Sequence, residues 1–256
     1  MKKIAVIISG NIRMYKENLS FLKDIFKDCE VTIFSSVWDH QNEITEFEKF
    51  YNIRYLQKIK EQKWDEKVNQ VKFVTGEENR GFKIKNIFHM WFSVVENIKF
   101  LKETCANQNL SFDYVCRFRT DIFCKNKTDY FKKEIEKIKT NEILFPVNNH
   151  HRGLNDQFFI AEYTTFLKLS EILNYIDIFL KEERPFNPEY IFYLFVKQNN
   201  LKVKLAHKFD VDLIRAEQAK PTKKVFIPFK DRMNLKKARY LIRVKNLFNK
   251  IKYLFN

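Results

Sequence analysis

Short apolar runs of strand length alternate with longer, charged segments of helical period, and this alternation restricts the chain to few architectures. "KIAVIIS" reads as a buried strand that opens the fold. "GNIRMYKENLSFLKDIF" follows as a Gly-Asn turn and a helix, and "CEVTIFSSVW" as a second strand ending in polar residues. "EITEFEKFYNIRYLQKIKEQKW" reads as one charged helix and "VKFVTG" as a short third strand. Ile84, Ile87, Phe88, Trp91, Val95, Ile98 and Leu101 recur at helical spacing, which predicts a long amphipathic helix. "FDYVCRFRTDIF", "NEILFP", "QFFIAE" and "LKVKLAH" read as strands, with helices over "TTFLKLSEILNYIDIFLKE" and "PEYIFYLFVKQNN". Strands alternating with helices give a Rossmann-type α/β fold, a mainly parallel sheet flanked by helices. The extra strands after residue 141 make that sheet mixed. Ligands of such sheets bind beyond the carboxyl ends of the strands.

One strand breaks the apolar pattern. In "DYVCRFRTDIFC", Tyr114, Cys116, Phe118, Thr120 and Ile122 fall on one face, and Val115, Arg117, Arg119, Asp121 and Phe123 on the other. The first face is a core face. The second carries three charges in a row. Unpaired buried charge costs several kcal/mol, so the row meets water, counter-charges or an anionic ligand. "SGNIR", "SSVWD", "RTD" and "HKFD" all follow strand ends. In a parallel sheet these polar clusters meet on one rim, which favours a ligand site over an exposed edge strand.

Composition removes several alternatives. Four glycines leave no G-x-G-x-x-G or P-loop, and neither H-E-x-x-H nor G-x-S-x-G occurs. Cys29, Cys105, Cys116 and Cys124 lack C-x-x-C spacing, as expected of free thiols in a reducing compartment. The N-terminal apolar run "IAVII" is shorter than the about 7–15 residues of a signal peptide or the about 20 of a spanning helix. A cytoplasmic chain is expected. Its net charge of +15 points to an anionic partner. Nucleic acid is the weaker choice, since the phenylalanines fall at core spacing and no nucleic-acid-binding motif occurs.

The order of elements, the "RFRTD" at a strand end and the later "NDQFFIA" resemble GT-A-fold nucleotide-sugar glycosyltransferases of bacterial surface polysaccharide (lipooligosaccharide or capsule) biosynthesis. The resemblance covers roughly residues 1 to 215. It implies a nucleotide-sugar donor, a glycan or lipid-linked acceptor, and Mn²⁺ or Mg²⁺ as cofactor. "RFRTD" stands where the family has D-x-D, with Arg119 at the first acidic position. Asp121 then becomes the candidate metal ligand, joined by His207 from "LAHKFD"; their structural alternatives are a turn cap and an ordinary surface or core histidine. Ser9, Gly10, Asn11 and Arg13 become candidate nucleotide-sugar contacts, as do Arg117 and Arg119, whose guanidiniums suit bidentate phosphate binding. Arg13 also fits a plain helix start. An inverting transfer needs a base for the acceptor hydroxyl, with Asp156 and Glu189 as candidates. A non-catalytic GT-A-like binding protein is the alternative that Arg119 favours.

The expected organisation is a transferase domain over 1–230 and a basic amphipathic helix over 231–256. From Arg232 to Asn256 there are eight Lys or Arg and no Asp or Glu. Leu241, Val244, Phe248, Ile251 and Phe255 form an apolar stripe at helical spacing. Such a helix can lie on an anionic inner-membrane surface, making the enzyme peripheral there. Packing on the same chain or on a homodimer partner is the alternative.

Overall fold

The computed structural model describes residues 1–71, 84–124, 128–147, 153–181, 186–206 and 209–213. Three parallel neighbours open the sheet: β1 (Lys2–Gly10), β2 (Cys29–Trp38) and β3 (Tyr55–Ile59). β4 (Tyr114–Phe118) pairs parallel with β1 on its other side. β5 (Ile122–Cys124) leaves this sheet and pairs antiparallel with β9 (Val211–Leu213). β6 (Glu142–Pro146), β7 (Phe158–Glu162) and β8 (Lys202–Ala206) complete a seven-stranded sheet of order β3-β2-β1-β4-β7-β6-β8. β7 is antiparallel to both neighbours, and the other six strands share one direction. The expected fold class, a mixed and mainly parallel sheet flanked by helices, is therefore borne out.

The two faces of the sheet bury separate cores. On one, α4 (Ile84–Gln108), α6 (Tyr163–Leu167), α7 (Ile172–Lys181) and α8 (Pro188–Gln198) cover Ala5, Ile7, Phe34, Val115, Phe145 and Phe159, with the short α3 (Asp65–Asn69) beside α4. On the other, α1 (Leu19–Ile25), α2 (Ile44–Tyr51) and α5 (Asp129–Ile135) cover Val6, Ile33, Cys116, Leu144 and Phe158. α4 carries out its predicted role: Phe88, Trp91, Val95, Ile98 and Leu101 are buried along its inner stripe. Its polar Asn97 is also buried, and its amide donates to the Ile8 and Phe34 carbonyls at 2.8 and 3.3 Å, tying the helix to β1 and β2.

Two elements differ from the expected ones. The segment read as one helix from Glu43 divides into α2 and β3. Asn52 adopts a left-handed backbone (φ 51°) and ends the helix, a conformation asparagine tolerates better than most residues. The following residues then find a ladder beside β2, with Phe34 opposite Tyr55 and Trp38 opposite Ile59. The segment "VKFVTG", expected as the third strand, lies almost wholly outside the described residues.

The charged strand also divides. β4 stops at Phe118, a turn closed by the Ile122 N–H to the Arg119 carbonyl (3.4 Å) follows, and β5 begins a separate ladder. β4 is the central strand, and all five of its residues are buried. The exposed-edge alternative does not hold.

Candidate functional site

Six strands point their carboxyl ends to one rim. The reversed β7 brings its starting end there too, with Phe158 opposite Phe118. The residues just before β7 therefore meet the residues just after β4. Asn155, fully buried, shapes this entry: its side-chain oxygen accepts from the Gln157 and Phe158 N–H groups at 2.8 and 3.0 Å. Gly153 packs against the first turn of α8 so closely that an added Cβ would lie 2.0 Å from the Glu189 carbonyl oxygen. The Leu154 N–H donates to that same carbonyl at 2.9 Å. Asp156 and Glu189, far apart in sequence, are thus carried to the rim by one locked junction.

Arg117 lies under the rim, 1% exposed. Its Nε donates to the Asp156 carbonyl at 2.8 Å and its Nη1 to Ser9 Oγ at 2.7 Å. Burial pulls its pKa down to about 10, with Asp156 opposing. The guanidinium joins β1, β4 and the β7 entry. Arg119 sits one layer outward, with its side chain 23% exposed. Its Nε and Nη2 donate to the two oxygens of Asp121 at 3.0 and 2.7 Å, a two-point pair made by the turn. Burial works against the Arg119 charge, but Asp121, through its field and its hydrogen bonds, and then Asp156 and Glu189 outweigh it and raise the pKa.

Asp156 and Glu189 form a buried acidic pair. They are 3% and 6% exposed, and neither Asp156 Oδ1 nor Glu189 Oε2 has a hydrogen-bond partner among the described residues. Burial raises the Asp156 pKa against the pull of Arg119 and Arg117. Burial, then the field of Asp156, pushes Glu189 up to about 8. Near neutral pH Glu189 therefore holds its proton, while at Asp156 the guanidiniums work against burial.

The predicted nucleotide loop after β1 joins the same rim. Gly10 has φ +87°, and a Cβ there would come within 3.2 Å of Ser93 Oγ. Asn11 and Arg13 are exposed on this loop. Gln41 braces it, accepting from the Ile12 N–H at 2.6 Å and donating to the Gly10 carbonyl at 3.1 Å. The Arg13 N–H donates to Thr120 Oγ1 at 3.2 Å, and the Asn18 amide donates to the Thr120 carbonyl. Sequence reasoning missed Gln41, Asn18 and Thr120. Their side chains serve loops, where no periodicity marks them. Of the predicted residues, Ser9, Arg117 and Asp156 are brought into contact, Arg119 and Asp121 are paired, and Glu189 is electrostatically joined to both Asp156 and Arg119. His207 lies outside the described residues.

The donor set argues against a divalent cation at Asp121. Both carboxylate oxygens already accept from Arg119. No group of three His, Cys, Asp or Glu that could hold a metal ion occurs among the described residues. As they stand, these residues do not fit Mn²⁺ or Mg²⁺.

No protein-family model and no curated protein matches the sequence. The chain is similar to several solved structures. Mouse xyloside xylosyltransferase 1 in its apo form aligns at 8% identity and TM-score 0.43, over 80% of this chain and 85% of that one. The 4-diphosphocytidyl-2C-methyl-D-erythritol synthase of Anaerococcus prevotii DSM 20548 aligns at 10% identity and TM-score 0.41, over 80% and 86%. The apo glycosyltransferase GlyE of Streptococcus pneumoniae TIGR4 aligns at 10% identity and TM-score 0.44, over 80% of this chain and 45% of that larger one.

Proposed function

We propose that the chain is a glycosyltransferase that moves a sugar from a nucleotide-sugar donor to a bacterial surface glycan or lipid-linked acceptor. One observation carries this reading. At the carboxyl rim of the sheet, a guanidinium pair stands beside two buried carboxyls, each with one buried oxygen that lacks a hydrogen-bond partner among the described residues. A nucleotide sugar has the matching chemistry. Its phosphates are anionic, and its sugar hydroxyls donate to unsatisfied carboxyl oxygens, whose burial without a partner otherwise costs about 1–3 kcal/mol each.

The chemistry follows from the charges. As the glycosyl bond breaks, negative charge grows on the leaving phosphate, and in this reading Arg119 stabilises it. Asp156, whose pKa burial raises against the pull of Arg119 and Arg117, is the base that takes the acceptor hydroxyl proton. Glu189, pushed up to about 8 by burial and the field of Asp156, retains its proton beside that base. Ser9 and the braced loop over Gly10, Asn11 and Arg13 face the nucleotide. The C-terminal stripe and its basic flanks, which lie outside the described residues, are proposed to hold the enzyme at an anionic inner-membrane surface on the cytoplasmic side. No helix among the described residues is long and apolar enough to cross a membrane.

The test is a thermal-shift and donor-hydrolysis screen of the full chain against nucleotide sugars and nucleoside diphosphates. A ligand at about 100 times its Kd adds roughly 2.7 kcal/mol of stability. Stabilisation with donor turnover supports the proposal. Stabilisation without turnover on any donor favours the non-catalytic reading, and no stabilisation by any nucleotide sinks both.

A further inference from the structure

We propose that Arg119, held in place by Asp121, binds the donor phosphates directly, so that donor binding needs no divalent cation. This rests on the donor-transferase reading above. Asp121 is then a positioning residue.

Geometry singles out Arg119. Arg117 is committed to Ser9 Oγ and the Asp156 carbonyl and is 1% exposed, so it is a poor partner for an arriving anion. Among the described residues, Arg119 is held on one edge, through Nε and Nη2. A guanidinium has a second edge, formed by Nη1 and the remaining Nη2 hydrogen, whose donors suit a phosphate in the same plane. Exposure gives the same order from outside to inside: the Arg119 side chain is 23% exposed and that of Asp121 is 10%. The cation is therefore the more accessible member of the pair.

The pair is also hard to exchange for a metal. A divalent ion at Asp121 has to break two charge-assisted hydrogen bonds and leave a guanidinium next to it, cation against cation. The turn adds rigidity. The Ile122 N–H closes it onto the Arg119 carbonyl, and Asn18 and the Arg13 N–H hold Thr120 between the two charged residues. The fields of Asp156 and Glu189 help keep Arg119 charged. The carboxylate in "RFRTD" thus orients a cation rather than coordinating one.

Calorimetric titration of the full chain with UDP, CDP, GDP and ADP, in millimolar EDTA and again in millimolar MnCl2, tests the proposal. The best ligand should bind with the same Kd, within about twofold, in both buffers. In EDTA, Arg119→Gln should weaken it at least about tenfold, the loss of one charge-assisted contact, and Arg119→Lys should weaken it too because the fork is lost. Asp121→Asn should weaken binding in the wild-type background but cost nothing further in Arg119→Gln, since it acts only through that side chain. Circular dichroism and melting temperature confirm that each variant is folded. Binding that requires MnCl2 overturns the proposal while leaving the donor-transferase reading intact. Wild-type affinity in folded Arg119→Gln and Arg119→Lys overturns it as well, and additive losses overturn the positioning role of Asp121. If no nucleoside diphosphate binds in either buffer, this proposal falls together with the function it rests on.

Discussion

Glu189→Gln removes an ionisation while keeping the shape of the side chain, and the pH dependence of stability reads the difference. In the folded chain, burial and then the field of Asp156 lift this carboxyl from an ordinary 4.5 to about 8. Below the unfolded value both states hold the proton, and the group's favourable contribution is fully present. Between about pH 4.5 and 8 the unfolded chain releases the proton and the native chain keeps it. The native state then binds more protons, so stability falls with rising pH by about 1.4 kcal/mol per pH unit from this group. Across the whole window the loss is on the order of 4–5 kcal/mol. Glutamine has no proton to release. Urea denaturation followed by circular dichroism from about pH 5 to about pH 8 should show Glu189→Gln close to wild type at the acidic end. It should be more stable by roughly 3 kcal/mol or more at the alkaline end. Parallel profiles, or a variant that is the less stable protein at the alkaline end, would refute the buried-proton argument.

Four other outcomes follow from the same geometry. Arg117→Met should lower stability in urea by about 3–5 kcal/mol, because Ser9 Oγ and the Asp156 carbonyl lose a buried cationic donor. Gly153→Ala should cost at least about 2 kcal/mol, since the new Cβ would sit 2.0 Å from the Glu189 carbonyl oxygen and neither backbone can yield easily. Asp156→Asn should fold normally and lower turnover on an identified donor and acceptor by about a hundredfold or more, the scale of a lost general base; near-normal turnover would remove Asp156 from that role. A chain ending near Lys230 should stay folded and active on a water-soluble acceptor but cease to float with anionic liposomes at low salt; aggregation of the truncated chain would assign the stripe to the core instead.

The amino-acid sequence by itself determined the alternation of elements and their inner faces, because period is a local property. α4 is legible from Ile84 to Leu101, and Val115 and Cys116 fall on opposite cores by strand alternation alone. The oddity of Arg117 in an apolar strand was also legible, since a charge cannot enter a core without a reason. The reason itself was not. Arg117 is satisfied by Ser9, over a hundred residues away, and by a carbonyl at the entry to a strand that runs backwards. Strand direction is set by how the whole sheet pairs, and no local pattern in "NDQFFIA" records it. The division of the charged segment has a similar origin. Residues 119 to 122 turn because β5 finds its partner in β9, near the far end of the described chain, and that turn closes Arg119 onto Asp121. β3 likewise exists because β2 offers it a ladder. Local periodicity chose the faces; long-range pairing chose which charged side chains share a rim, and so which carboxyl oxygens, among the described residues, are left there without a hydrogen bond.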